Sequence, residues 1–242
     1  MQARMKRGKL PSLKITAASL IGSRSEQQDC FKHGSFKDTG FAVVCDGMGG
    51  HEGGKQAAEA AAQAFEEAFT DGTLNLEDFP GQFRHLELRP NFDVGHIHPD
   101  AGTTVVGAVW RISGERMSVR FFSVGDSFGL ALNESGLQFT TPIEGIGSWL
   151  FNFWSPQKRD LLCSPVFLLE KKSTILLASD GIEPIVGNLV NFIRSPECKE
   201  LDAAAQRFER ISQSADLTRL AEEAVGASKG ADNTTLVRVS FR

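Results

Sequence analysis

The sequence has few cysteines and no long run of apolar residues. Its four cysteines, Cys30, Cys45, Cys163 and Cys198, show no close pairing, which is typical of a protein in a reducing compartment. No stretch approaches the ~20 apolar residues that a membrane-spanning helix needs, and the first residues are too polar for a secretory signal. We therefore expect a cytoplasmic protein that does not bind membranes.

There is also no excess of basic residues. The formal net charge is −4, and no basic stripe interleaved with aromatic residues is present, which excludes a typical nucleic-acid-binding protein. The one basic cluster lies in residues 1–12, which we expect to form a flexible N-terminal arm. With 242 residues and 41% hydrophobic content, the chain can bury a large core, so residues 13–242 are expected to form a single domain.

Short apolar or alternating segments predict a protein rich in β-strands. The predicted strands cover residues 13–21, 41–45, 103–110, 117–124, 128–132, 137–140, 166–169, 174–178 and 234–241. Four of them follow one another between Thr103 and Thr140 with only turn-forming residues between them. This spacing predicts an antiparallel meander.

Helical periodicity is clearest in Lys55–Phe69, where alanine and phenylalanine repeat on one face. The alanines predict close packing against a flat surface such as a sheet. Further helices are predicted at 185–193, 202–211 and 216–225, the last with Asp216 as its N-cap. Strands grouped on each side of helical segments predict an α+β fold of stacked antiparallel sheets covered by helices.

Two segments interrupt this pattern. Residues 71–100 contain three prolines and no clear periodicity. Residues 142–165 are rich in glycine and proline but include Trp149 and Trp154. This second segment is either a mobile flap that influences substrate choice or a loop that packs its aromatic residues on the core.

Three aspartates stand in the same local setting, each at the end of an apolar segment or the start of one. Asp46 and Asp180 are followed by glycine, and Asp232 is followed by Asn233. One such aspartate would be ordinary turn chemistry. Three of them can converge on a hard cation, because strand ends are rigid and glycine allows the backbone to approach closely.

The order and content of these motifs resembles the metal-dependent protein phosphatases of the PP2C (PPM) family, bacterial type. The motifs are Arg24 with Gln27-Gln28-Asp29, Asp46-Gly47-Met48-Gly49-Gly50-His51, Gly102-Thr103-Thr104, Gly125-Asp126-Ser127, Ser179-Asp180-Gly181 and Asp232-Asn233-Thr234. They follow the family's order over nearly the whole chain. The resemblance implies a sandwich of two antiparallel β-sheets flanked by helical layers, and hydrolysis of phosphoserine and phosphothreonine on proteins.

The resemblance also implies a set of metal ligands. Asp46 would bridge two ions, with the Gly47 carbonyl completing one shell, while Asp180 and Asp232 hold the other ion. Asp29 would lie in the coordination shell or directly behind it. An all-oxygen set favours Mn²⁺ or Mg²⁺ over zinc. Two such ions, about 3.5–4 Å apart, share and activate a water that attacks phosphorus without a covalent intermediate.

Other positions match the family in part. Arg24 corresponds to the phosphate-binding arginine, whose planar fork binds two phosphate oxygens and stabilises the transition state. Asp126 is retained and would bind a third ion. Met48 stands where eukaryotic members often have a histidine, so the leaving-group proton must come from a water or another group. Phe128 replaces a frequent arginine.

Two alternatives remain open. A histidine-kinase-type ATP-binding domain would use Asp46 to read adenine, but it leaves Asp180 and Asp232 unexplained and needs a preceding helix where residues 13–45 predict strands. A catalytically weak or inactive PP2C-like binding or regulatory module would be expected to lose a metal aspartate, and none is lost. The expected partners are phosphorylated proteins, opposite a serine/threonine kinase, with the phosphatase itself a monomer.

Overall fold

The computed structural model describes residues 13–48, 53–77, 101–143, 161–185, 214, 216–227 and 232–242. Several predicted features lie outside these ranges: the N-terminal arm, His51, the helix at 202–211, nearly all of the helix at 185–193, and Trp149 and Trp154 in the segment 142–165. Among the described residues, no helix is both long and apolar enough to cross a membrane.

Within these residues, the predicted strands and the helices at 55–69 and 216–225 fall close to their predicted positions, and two further strands, at Asp29–Phe36 and Leu162–Cys163, were not predicted. The strands are β1 (Leu13–Leu20), β2 (Asp29–Phe36), β3 (Thr39–Asp46), β4 (Val105–Ser113), β5 (Arg116–Val124), β6 (Phe128–Asn133), β7 (Gly136–Thr140), β8 (Leu162–Cys163), β9 (Phe167–Glu170), β10 (Ser173–Ala178) and β11 (Thr234–Phe241). The helices are α1 (Gly54–Thr70) and α2 (Leu217–Ala227), and a 3-10 turn covers Asp180–Ile182.

The strands form two sheets. The first sheet has the order β1-β11-β10-β6-β7, and the second has the order β2-β3-β4-β5-β8, with β9 also paired to β5. All of these pairings are antiparallel. The predicted architecture of stacked antiparallel sheets is therefore confirmed.

Three apolar clusters hold the layers together. One lies between the sheets and includes Trp110, Phe121 and Phe241. A second joins the alanine-rich face of α1 to the outer face of the second sheet, as the alanine pattern predicted. The third packs α2 on the outer face of the first sheet. Asp216 caps α2 as predicted, since its Oδ1 accepts a hydrogen bond from the Thr218 N–H at 2.9 Å.

The meander predicted between Thr103 and Thr140 is wrong. β4 pairs with β5 in the second sheet, whereas β6 pairs with β7 in the first. The chain crosses between the sheets at Gly125-Asp126-Ser127, where Gly125 has a φ of 93°, a left-handed conformation that favours glycine. Hydrophobic alternation reports which residues are buried and not which sheet a strand joins. The crossing places Asp126 at the junction of the two sheets.

Candidate active site

Five of the predicted site residues meet at one cavity of about 200 Å³. Its lining consists of Arg24, Asp46, Met48, Thr104, Asp126, Asp180 and Asp232. Asp46 ends β3 in the second sheet, while Asp180 follows β10 and Asp232 precedes β11 in the first. The cavity therefore lies where strand ends of both sheets come together.

The backbone of Asp46 is fixed by two threonines. Its carbonyl accepts hydrogen bonds from the Thr103 hydroxyl and the Thr104 N–H, both at 2.8 Å. Its N–H donates to the Thr104 hydroxyl at 3.3 Å, and that hydroxyl also bonds the Ser127 hydroxyl at 2.6 Å. These contacts give the Gly-Thr-Thr motif a physical role, because they hold the end of β3 rigidly.

Gly47 is buried in a tight turn of the site. A Cβ at this position would lie 2.4 Å from the Gly54 carbonyl oxygen and 2.7 Å from the Gln28 carbonyl oxygen. Both atoms belong to the backbone and cannot swing aside. Only glycine allows the start of α1 and the segment before β2 to approach the end of β3 this closely.

Asp29 lies behind the cavity. It is the register partner of Asp46 on the neighbouring strand, and it is 7% exposed. Its Oδ2 accepts a hydrogen bond from the Ser179 hydroxyl at 2.8 Å, and that hydroxyl in turn accepts the Thr235 N–H at 2.9 Å. Burial raises the pKa of Asp29 to about 6, although hydrogen bonds from Thr235 and Ser179 oppose the shift.

The carboxylates that face the cavity repel one another. Burial raises the pKa of Asp46 well above its usual value, and the charges of Asp29, Asp180, Asp126 and Asp232 raise it further. Burial also raises the pKa of Asp180, with the charge of Asp232 as the next cause. A cluster with this much negative charge either retains protons or binds cations.

Arg24 supplies positive charge to the cavity. Its Nη2 donates a hydrogen bond to Oδ2 of Asp232 at 2.6 Å. This bond and the charge of Asp232 raise the pKa of Arg24, with smaller contributions from Asp180 and Asp46. The guanidinium therefore stands beside the carboxylates, in a position to meet an anion that enters the cavity.

The donor set fits divalent cations. Oδ1 of Asp29 and Oδ1 of Asp180 are buried without a hydrogen-bond partner, and every acidic group at the cavity offers hard oxygen ligands. Among the described residues, however, no three His, Cys, Asp or Glu side chains are drawn together as a finished metal shell. The four aspartates that line the cavity nevertheless face one space, which offers a cation several oxygen ligands.

A larger cavity of about 660 Å³ lies at the far end of the β2–β3 hairpin, beside the end of α1. Phe41, Phe69 and Leu74 form part of its apolar wall. Of the charged side chains in its lining, Glu66 pairs with Lys32 and Arg111 with Glu77, while Oδ1 of Asp71 accepts hydrogen bonds from Thr73. Its chemistry is therefore that of an apolar groove and not of a catalytic centre.

The residues that sequence reasoning missed are those that hold the aspartates in place by hydrogen bonds. Thr104, Ser179 and Asn233 lie next to or within the quoted motifs, but no role for them was predicted. Each is nearly or fully buried. A polar residue beside a predicted strand-end aspartate is the signal that could have identified them, because buried polar groups need partners.

No protein-family model matches the sequence, and no curated protein matches it significantly. Solved structures do match in fold. The catalytic domain of the serine/threonine phosphatase PstP, in complex with two manganese ions, gives a TM-score of 0.60 at 20% identity, over 96% of this chain and 99% of that one. RsbX in complex with magnesium gives a TM-score of 0.60 at 14% identity, over 95% of this chain and 96% of that one.

The PPM Ser-Thr phosphatase MsPP from Mycobacterium smegmatis, in complex with cacodylate, gives a TM-score of 0.64 at 17% identity, over 95% of this chain and 98% of that one. Each of these likenesses covers at least 95% of this chain. The protein therefore has the fold of the bacterial PP2C (PPM) serine/threonine phosphatases.

Proposed function

We propose that this protein hydrolyses phosphoserine and phosphothreonine on proteins with the help of two Mn²⁺ or Mg²⁺ ions. The observation that carries the proposal is the convergence of Asp46, Asp180 and Asp232 with Arg24 on one cavity, although these residues are distant in sequence. The manganese and magnesium complexes of PstP and RsbX support the choice of metals.

The residues at the cavity would have different roles in binding the metal ions. Asp46, Asp180, Asp232 and the Gly47 carbonyl would hold the two ions, and Asp126 would bind a third. When bound, the ions would supply an activated water and neutralise charge on the phosphoryl group. The buried Asp29 would hold its register partner Asp46 in place.

Arg24 would bind two phosphate oxygens with its guanidinium and position phosphorus for attack from the opposite side. Met48 lines the cavity but has no proton to give, so a water would protonate the leaving alkoxide. We further propose a cytoplasmic monomer that acts on phosphoproteins opposite a serine/threonine kinase.

The second candidate, an inactive PP2C-like binding module, is less well supported because four of the predicted acidic residues line the cavity and the fifth, Asp29, lies directly behind it. An ATP-binding domain of the histidine-kinase type would need a helix before Asp46, where the chain instead forms β2 and β3. That domain type also leaves the buried carboxylate oxygens of Asp29 and Asp180 without a role.

Hydrolysis of p-nitrophenyl phosphate by the full chain tests the proposal. With millimolar Mn²⁺ we expect release of p-nitrophenol, and with excess EDTA we expect none, because the water then has no activating cation. Full turnover in EDTA would contradict the metal mechanism. No hydrolysis in Mn²⁺ would favour the inactive module.

We expect Arg24→Ala to raise KM with a smaller fall in kcat, a loss of roughly 1.5–3 kcal/mol in kcat/KM, because the guanidinium contacts phosphate in both the ground and transition states. Arg24→Lys should restore part of this loss, since lysine supplies charge without the planar fork. Steady-state kinetics with p-nitrophenyl phosphate measures both values.

Arg111→Ala is the matched control for this prediction. Arg111 also pairs with a carboxylate, and its side chain is 43% exposed, close to the 42% of Arg24, but it lies at the apolar groove away from the cavity. Its kinetics should match those of the wild type. Equal effects of the two substitutions would remove Arg24 from the phosphate site.

A further inference from the structure

Asn233 ties the segment that carries Arg24 to the strand that follows Asp232. Its side chain is 3% exposed and spans two parts of the chain that are about 200 residues apart. Nδ2 donates to the Ile21 carbonyl at 2.8 Å and to the Glu26 carbonyl at 3.1 Å, and Oδ1 accepts the Gln28 N–H at 2.7 Å.

These partners define the orientation of the amide. Carbonyls only accept hydrogen bonds and a backbone N–H only donates, so the amide nitrogen must face Ile21 and Glu26 while the oxygen faces Gln28. Few side chains of this size supply two donors and an acceptor together. The three contacts therefore fix both ends of the turn in which Arg24 lies.

The backbone of Asn233 contacts Asp232, the residue with which Arg24 forms its ion pair. Its N–H donates to Oδ1 of Asp232 at 2.9 Å, while Oδ2 of the same carboxylate accepts the Arg24 guanidinium at 2.6 Å. One residue thus orients a predicted metal ligand through its main chain and the predicted phosphate-binding residue through its side chain.

We propose that Asn233 is a positioning residue for the phosphatase reaction: its side chain holds the Arg24 turn so that the guanidinium faces the cavity at the correct distance for phosphate. This inference rests on the proposed function. The side chain of Asn233 contacts backbone atoms and would not contact phosphate, so it would affect catalysis only by positioning Arg24.

A double-mutant cycle in the full chain tests this. With p-nitrophenyl phosphate and saturating Mn²⁺, Asn233→Ala should raise KM about tenfold and change kcat by less than about threefold. In the Arg24→Ala background the same substitution should raise KM by less than about twofold, because the residue through which it acts is gone. Asn233→Ser, which replaces the amide with a hydroxyl that can make one of the three contacts, should lie between the wild type and Asn233→Ala.

Two further measurements separate positioning from a general loss of structure. The first is the Mn²⁺ affinity of Asn233→Ala and Asn233→Ser, measured by calorimetry. It should stay within about twofold of the wild-type value, because both variants keep the main-chain N–H that orients Asp232. Asn133→Ala removes an amide that caps the β6–β7 turn by accepting the Ser135 N–H at 2.8 Å, far from the cavity. This control should leave KM unchanged.

Each outcome decides the inference. If the KM of the double variant rises by the product of the two single effects, the residues act independently and the inference is overturned while the proposed function stands. A fall in kcat for Asn233→Ala without a rise in KM would overturn it in the same way. A wild type that is inactive with Mn²⁺ would overturn the proposed function and this inference with it. If Asn233→Ala does not fold, the same cycle with Asn233→Ser and Arg24→Ala decides.

Discussion

Replacing Asp46 with asparagine is expected to lower kcat by at least about 10³-fold and to leave the fold intact. The substitution keeps the size of the side chain but removes the charge that would bridge the two ions. It also removes a buried carboxylate whose pKa is raised by burial and by four neighbouring aspartates. In EDTA the variant should therefore melt at a higher temperature than the wild type, because the repulsion within the cluster is relieved.

Turnover of p-nitrophenyl phosphate and thermal melts in EDTA measure the two effects together. Asp38→Asn, which removes an exposed carboxylate at the β2–β3 turn, is the control and should change neither value. An Asp46→Asn protein that retains half the turnover of the wild type at saturating Mn²⁺ would exclude Asp46 as a metal ligand.

Gly181→Ala is expected to destabilise the protein by about 3 kcal/mol and to lower activity with it. A Cβ at Gly181 would lie 2.0 Å from the Asn233 carbonyl oxygen and 2.7 Å from Oγ1 of Thr234. The carbonyl belongs to the backbone, so β10 and β11 must separate at the point where Asp180 and Asp232 face each other. The methyl group would thereby disturb both the packing and the two aspartates that we propose as metal ligands.

Gly226→Ala is the matched control for this steric argument. Gly226 lies in α2 with no atom within 4 Å of its added Cβ, so alanine should be neutral or slightly stabilising there. Chemical denaturation gives the free energies of unfolding of both variants. A Gly181→Ala protein as stable as the wild type would show that the strand ends can separate at little cost.

Much of the fold follows from the sequence because buried strands are strongly apolar. Phe41–Cys45 is an unbroken apolar segment, which is typical of a strand buried on both faces, and its five residues are at most 1% exposed. β2 could not be bounded in this way, since Asp29–Phe36 mixes charged, small and aromatic residues without alternation. β8 has only two residues, too few for any pattern.

The aspartates of the site were predictable and their supports were not. Asp46, Asp180 and Asp232 stand at the ends of apolar segments, a position that sequence reveals. The bonds of Ser179 to Asp29 and of Asn233 to the Arg24 turn join residues 150 or more positions apart. Sequence reasoning has no access to contacts between segments whose relative placement depends on sheet order.

The same long-range contacts have a consequence for folding. Arg24 and Asp232 are separated by 208 positions, so their contact requires closure of nearly the whole chain, and non-local contacts of this kind are associated with slow folding. Neither sheet alone contains the cavity, because the second sheet supplies Asp46 and the first supplies Asp180 and Asp232. We therefore expect the proposed phosphatase activity to return, after dilution from denaturant, only when β1 has paired with β11 and the two sheets have docked, and a fragment that ends before β11 should not regain it.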